Sequence, residues 1–418
     1  MSKRLVVTAV FISSAFVDAP SYVTGGSISL MGVLTIVFAV AVAVLAFWRP
    51  LASLPGLLRL WPLSLLFVFS VIQLFLDPLT IQAAQTLCLQ SIFLGLILLT
   101  STGELDGIDE MSVSRMLHNA ALFASLCYLI VFLSEGFGPE EIGAISFIAA
   151  RSYALFALLG VALFASRWAG GSRRSFWFAA ALVFLIALSL SRTALALALM
   201  LIPLSRLSSA KRPAVKQLLI ASLGAMLALT MLVLSINTLR SRFIGDNSVE
   251  DYVTGEASID TSGRLTAWAV TLGSYLESPW IGKGPGSANE LMDDVLYRLE
   301  IGHPLNEYLR FLHDEGLVGF LLFLAGVSQL LILCWRAYRR SLVNHYPNSP
   351  FYLATFLALL AALLSMLTDN TASYIFVMGP LGVMVGITLR SLALDTSTVI
   401  AATDHGESAD FGLARSSL

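Results

Sequence analysis

The chain has 418 residues, 57% of them hydrophobic and only 12% charged, with a formal net charge of −2. A soluble domain carries about 25% charged residues, which excludes a water-soluble globular protein. The near-neutral balance, with no basic patch interleaved with aromatics, also excludes a nucleic-acid-binding surface.

In chain order, continuous apolar runs long enough to span a bilayer, about 20 residues with some shorter, are predicted at 5–17, 28–48, 60–76, 80–99, 116–133 and 146–166. Six more follow at 176–190, 193–207, 215–236, 316–335, 351–367 and 373–389. These runs are continuous instead of alternating, and backbone groups in lipid must be satisfied within each segment, so they are read as helices. The first run follows Lys3-Arg4 and also resembles a signal peptide, but Pro20 after Val17-Asp18-Ala19 disfavours cleavage, and it is expected to remain as a span.

Orientation follows from Lys and Arg. With both termini inside, eight basic residues lie outside (Arg151, Arg192, Arg240, Arg242, Arg264, Lys283, Arg298 and Arg310) and the other seventeen of the 25 lie inside. This bias predicts an all-α polytopic domain over 1–394, about twelve transmembrane helices, and one large outward loop at 237–315. The tail at 395–418, rich in Ser, Thr, Ala and Asp, is expected to be cytoplasmic and disordered. Cys88, Cys127 and Cys334 fall inside apolar runs, too scattered for a metal motif and badly placed for a disulfide.

The outward loop has its own order. Leu265, Trp268, Ala269, Leu272 and Leu276 recur at helical spacing and are stopped by Pro279, which predicts an amphipathic helix with Arg264 in its first turn. Gly282-Lys283-Gly284-Pro285-Gly286 is a turn cluster, and Ser287 is a candidate cap for a second helix. After Gly302-His303-Pro304, Asn306 is a candidate cap for a third helix that runs into the tenth span through Gly316.

The loop carries six basic and thirteen acidic residues, so an anion bound there needs specific arginines. Arg192, at a tight turn between two apolar runs, is either an interfacial anchor or part of a polar cavity. Arg264 is read either as a solvated helix face or as an anion contact. His303 beside a helix start is either a loop histidine or a proton acceptor. The acidic stretch 246–260 matches no calcium loop and is read as a solvated linker.

Three pieces stand in one order: Ser189-Leu190-Ser191-Arg192-Thr193; Gly263-Arg264-Leu265-Thr266-Ala267-Trp268 leading to Pro279-Trp280-Ile281-Gly282-Lys283-Gly284-Pro285-Gly286; and Asn306-Glu307-Tyr308-Leu309 leading to Glu315-Gly316-Leu317-Val318-Gly319. Over residues 176–335 the chain resembles the O-antigen ligase and O-antigen polymerase family of bacterial inner-membrane glycosyltransferases. The resemblance implies a GT-C-like, metal-independent enzyme without cofactors. It would move a glycan from an undecaprenyl diphosphate carrier to a sugar hydroxyl on the periplasmic face, with a glycan or lipid A–core as acceptor. Membrane lipids and other polysaccharide assembly proteins are the implied surroundings.

The resemblance assigns Arg192 and Arg264 to the diphosphate, where a two-pronged guanidinium matches phosphate oxygens and developing charge. His303 is the candidate to accept the acceptor's proton or to hydrogen-bond the diphosphate. The family often writes His directly before Asn, where this chain has Leu305, so the histidine stands two residues early. Arg240, Arg242, Lys283, Asn306 and Tyr308 are the expected substrate-binding residues. Ligase and polymerase stay open. The rival class is a transporter or flippase of lipid-linked oligosaccharide, which would be expected to show inverted repeats or paired broken helices.

Overall fold

A computed structural model describes residues 3–17, 30–47, 56–76, 80–102, 107–135, 148–209, 264–295 and 304–393. Its helices are α1 (Lys3–Ala15), α2 (Leu30–Phe47), α3 (Trp61–Leu76), α4 (Ile81–Ser101), α5 (Glu110–Glu135), α6 (Ala150–Ala169), α7 (Arg173–Leu188) and α8 (Arg192–Ser209). They continue with α9 (Arg264–Tyr275), α10 (Ser287–Val295), α11 (Glu307–Val343) and α12 (Ser349–Ser365), and then α13 (Ile375–Ala393). Every predicted apolar run within the described residues is helical. The run at 215–236, much of the outward loop and the tail lie outside them. Among the described residues, five helices, α4, α5, α6, α11 and α13, are long and apolar enough to cross a membrane.

The middle of the bundle is α6, whose residues from Ser152 to Ser166 are all buried. It packs against α5, α7, α8 and α12. Lipid tails are as apolar as leucine, so helices in a bilayer associate through close packing more than through hydrophobic transfer, and small residues let backbones approach. Gly160 is such a point: a methyl group there would stand 3.0 Å from the Ala121 Cβ of α5 and 2.8 Å from the Leu182 Cδ1 of α7.

Side chains tie the helices at both ends. At one end Arg167 of α6 donates to the Ser114 hydroxyl of α5 at 2.8 Å, and Tyr352 of α12 donates to Glu110 at 2.8 Å. At the opposite end the chain between α12 and α13, residues 366–374, gathers contacts from α6, α8 and α11. That end carries the residues of functional interest.

Candidate functional site

The site begins with the start of α11. Asn306 has extended backbone and its side-chain oxygen accepts from the Leu309 N–H at 3.1 Å, the cap that its residue type predicts. Just before it, Leu305 has φ 52°, a left-handed conformation that costs a branched residue about 1–2 kcal/mol. The turn is held from both sides: the Trp268 indole of α9 donates to the Pro304 carbonyl at 2.9 Å, and the Glu307 N–H donates to the Met366 carbonyl at 2.9 Å. Leu190, two residues before Arg192, has φ 57°. The two turns that introduce the site's helices are thus both built on a strained leucine.

Within its first turns α11 buries Glu307, Arg310, His313, Asp314 and Glu315. Such a cluster survives burial only if it is internally satisfied. Arg310 pairs with Glu307 three residues back and stands 3.6 Å from Asp314 four residues on, its guanidinium 4.7 Å over the Phe311 ring. Asp314 also takes the Gly286 and Ala288 N–H groups at 3.0 and 2.7 Å and the Ser287 hydroxyl at 3.1 Å. The cap of α10 therefore comes from α11, and Ser287 is the first helical residue instead of the cap. His313 lies between Ser287 (3.2 Å) and Ser274 of α9 (3.0 Å).

At Gly316 (φ 63°, ψ −170°) α11 kinks. A kink frees backbone groups that must be accounted for, and residues 279–284 supply them. The Leu317 and Val318 N–H groups donate to the Pro279 and Trp280 carbonyls at 2.9 and 3.2 Å. The His313 and Asp314 carbonyls accept from Lys283 and Gly284 at 3.1 and 2.9 Å. Gly282 (φ 75°) and Gly316 face each other so closely that a Cβ on either would run into the other's backbone. Two of the motifs quoted above are therefore one object, a loop spliced into a broken helix. Gln73 of α3 donates to the Asp314 carbonyl at 3.3 Å and Ser70 to Glu315 at 2.6 Å, fixing the splice to the bundle.

The remaining motif joins through the connection after α12. Thr193, beside Arg192, shares a 2.7 Å hydrogen bond with Thr368. The next residue, Asp369, accepts from Arg151 Nε of α6 at 2.6 Å, and Ser373 donates to Glu307 at 3.2 Å. The starts of α6, α8 and α11 thus meet on one short segment.

The predicted residues fare unequally. Arg192 is half-buried as the first residue of α8. Arg264 is the first residue of α9, and its side chain is outside the described part of the structure. His303, Arg240 and Arg242 also lie outside the described residues. Lys283 is paired with Glu277 at 2.5 Å and donates to Ser274 at 2.9 Å. Its hydrogen bond and charge hold the Glu277 carboxyl below its ordinary range. Tyr308 donates to the Leu363 carbonyl at 2.9 Å, so together with the Asn306 cap it shapes the corner.

α9 is helical from Arg264 as its spacing predicts. Its buried side carries Ala267 and Thr271, with Val270 packed beside them, while Leu272 is exposed. Ser274 on the same helix meets His313 and Lys283.

Residues 177–324 match the O-antigen ligase family. Over that stretch, about a third of its length, the chain is similar to O-antigen ligases. No curated protein matches it. The O-antigen ligase match runs from α7 into α11, so it takes in the Arg192 turn, α9, the splice and the Asn306 corner, and stops before residues 366–373. Reading along the sequence missed His313, Asp314 and Asp369 as site residues, treated Arg151 and Arg310 only as outer cations, and quoted Glu307 without giving it a role. A signal was present for Glu307, Arg310 and Asp314, whose spacing of three and four places them on one helix face.

Proposed function

We propose that this chain moves a glycan from undecaprenyl diphosphate to a sugar hydroxyl at the periplasmic face of a bacterial inner membrane. It would act as an O-antigen ligase on lipid A–core or as a surface-polysaccharide polymerase. The observation that carries this reading is that the family match over 177–324 coincides with the segments converging around Arg192, α9 and the start of α11.

In the proposed reaction the acceptor hydroxyl oxygen bonds to the anomeric carbon as the carbon–oxygen bond to the diphosphate breaks. The electron pair leaves on the diphosphate, whose charge Arg192 and Arg264 offset, and the hydroxyl proton passes to His303.

The broken α11 is the one observation in favour of a carrier or flippase, since carriers use interrupted helices to hold ions and substrates. Here the backbone groups at the break are taken by residues 279–284, which leaves them committed to the protein itself.

Purified protein given a polyprenyl-diphosphate oligosaccharide and a sugar acceptor is the direct test. Release of polyprenyl diphosphate with a lengthened or ligated product supports the reading. Movement of intact donor across vesicles without product refutes it. In a deletion strain, carrier-linked polymer missing from lipid A–core means ligase, and single repeat units without longer bands mean polymerase.

A further inference from the structure

We propose that Arg151 is a further anion-binding residue of this site, oriented by Asp369 so that its unpartnered Nη2 donates to a phosphate oxygen of the donor. This assignment rests on the diphosphate donor proposed above.

Asp369 is nearly enclosed, its side chain 4% exposed, whereas that of Arg151 is 38% exposed. Both carboxylate oxygens are committed: Oδ2 accepts from Arg151 Nε at 2.6 Å and Oδ1 from the Asn370 N–H at 2.9 Å. Asn370 is in turn held by the Tyr374 hydroxyl at 3.0 Å. The guanidinium is therefore gripped through Nε.

Arg151 Nη2 is buried and has no hydrogen-bond partner among the described residues. Buried polar groups are almost always satisfied, and one that is not calls for an explanation. A structural arginine–carboxylate pair ordinarily engages a terminal nitrogen as well; this one uses Nε alone and leaves Nη2 as an enclosed donor without an acceptor.

The placement supplies the ligand class. Asp369 follows Thr368, which holds Thr193 beside Arg192, and the same connection holds Glu307 at the Asn306 corner. Arg151, on α6, is thus tied to the segment that also holds the Arg192 turn and the Asn306 corner. A planar guanidinium with an unpartnered nitrogen suits a phosphate oxygen, a match that a lysine ammonium does not reproduce. A phosphate could belong to the donor or to a phospholipid headgroup; the neighbouring Arg192 motif selects the donor.

The test uses full-length protein purified in detergent, with Arg151→Gln, Arg151→Lys and the double variant Arg151→Gln/Asp369→Asn. The double variant removes both charges together, so neither is left buried without its partner. Each protein is assayed for thermal unfolding, for binding of farnesyl diphosphate and of phosphatidylglycerol vesicles, and for KM and kcat with a polyprenyl-diphosphate glycan.

Loss of one hydrogen bond to a charged group corresponds to about tenfold or more in affinity. We expect the double variant to unfold near the wild-type temperature while farnesyl diphosphate affinity falls, and donor KM rises, by that factor. Arg151→Lys should fall in between. Wild-type donor KM in the double variant, with wild-type binding of farnesyl diphosphate, overturns the Arg151 assignment and leaves the proposed function standing. Wild-type protein that binds phosphatidylglycerol but not farnesyl diphosphate, and transfers no glycan, overturns the donor reading and the assignment together.

Discussion

Helix α6 and the first turns of α11 both bury their side chains, by opposite means. α6 is an unbroken apolar rod whose neighbours approach over alanines and a glycine. The first turns of α11 hold ionisable side chains and end in a kink filled by another segment. A packed apolar helix degrades gradually, because a misplaced methyl group is absorbed by small shifts. A buried polar network has few alternative arrangements, and removing one member strands the others. The scaffold and the site should therefore respond differently to substitutions of the same size.

The largest effect is expected from Asp314→Ala, which strips Arg310 of a partner and leaves the Gly286 and Ala288 N–H groups without an acceptor. Breaking a buried pair from one side costs about 3–5 kcal/mol, so the variant should lose folded protein in thermal unfolding assays in detergent. Unchanged unfolding would mean that the network is not what holds α10 and α11 together.

Next comes a matched pair, Gly316→Ala against Gly160→Ala, one methyl group each. At Gly316 the methyl meets rigid backbone and forces alanine to positive φ, costing about 2 kcal/mol or more. At Gly160 it meets side chains, one of them the movable end of Leu182, and overpacking of that kind costs about 1 kcal/mol. If the α6 variant proved the less stable of the two, the contrast drawn between these helices would be wrong.

The smallest effect on stability belongs to Lys283→Ala. Its partner Glu277 is exposed, and surface pairs add little. Because the Glu277 carboxyl is lowered from its ordinary 4.5, whatever the pair contributes is present above that value and lost as pH falls through the lowered one. Wild type and variant should unfold alike at neutral pH and become indistinguishable in acid. A clear fall in glycan transfer at unchanged unfolding temperature would then mark Lys283 as a substrate contact.

Local signals were the legible ones. The Asn306 cap, the start of α9 after Gly263 and the apolar helices depend on neighbours within a few residues, and each could be read along the chain. The turn glycines were legible as a turn, but nothing near Gly282 announces that its partner is Gly316. Arg151 and Asp369 meet across 218 residues, and neither belongs to a local motif. In α9 the periodicity gave the helix, but the meeting of Ser274 with His313 on another helix leaves no local trace.

The splice at Gly316 also has a consequence for how this part of the molecule opens. Lys283 and Gly284 on one side, and Leu317 and Val318 on the other, donate the four backbone hydrogen bonds that cross the break. None of the four can be released without loosening the shared fit of Gly282 against Gly316. Amide protons more than thirty residues apart should therefore exchange with deuterium at one common opening free energy, as a single unit distinct from the α11 amides beyond Gly319.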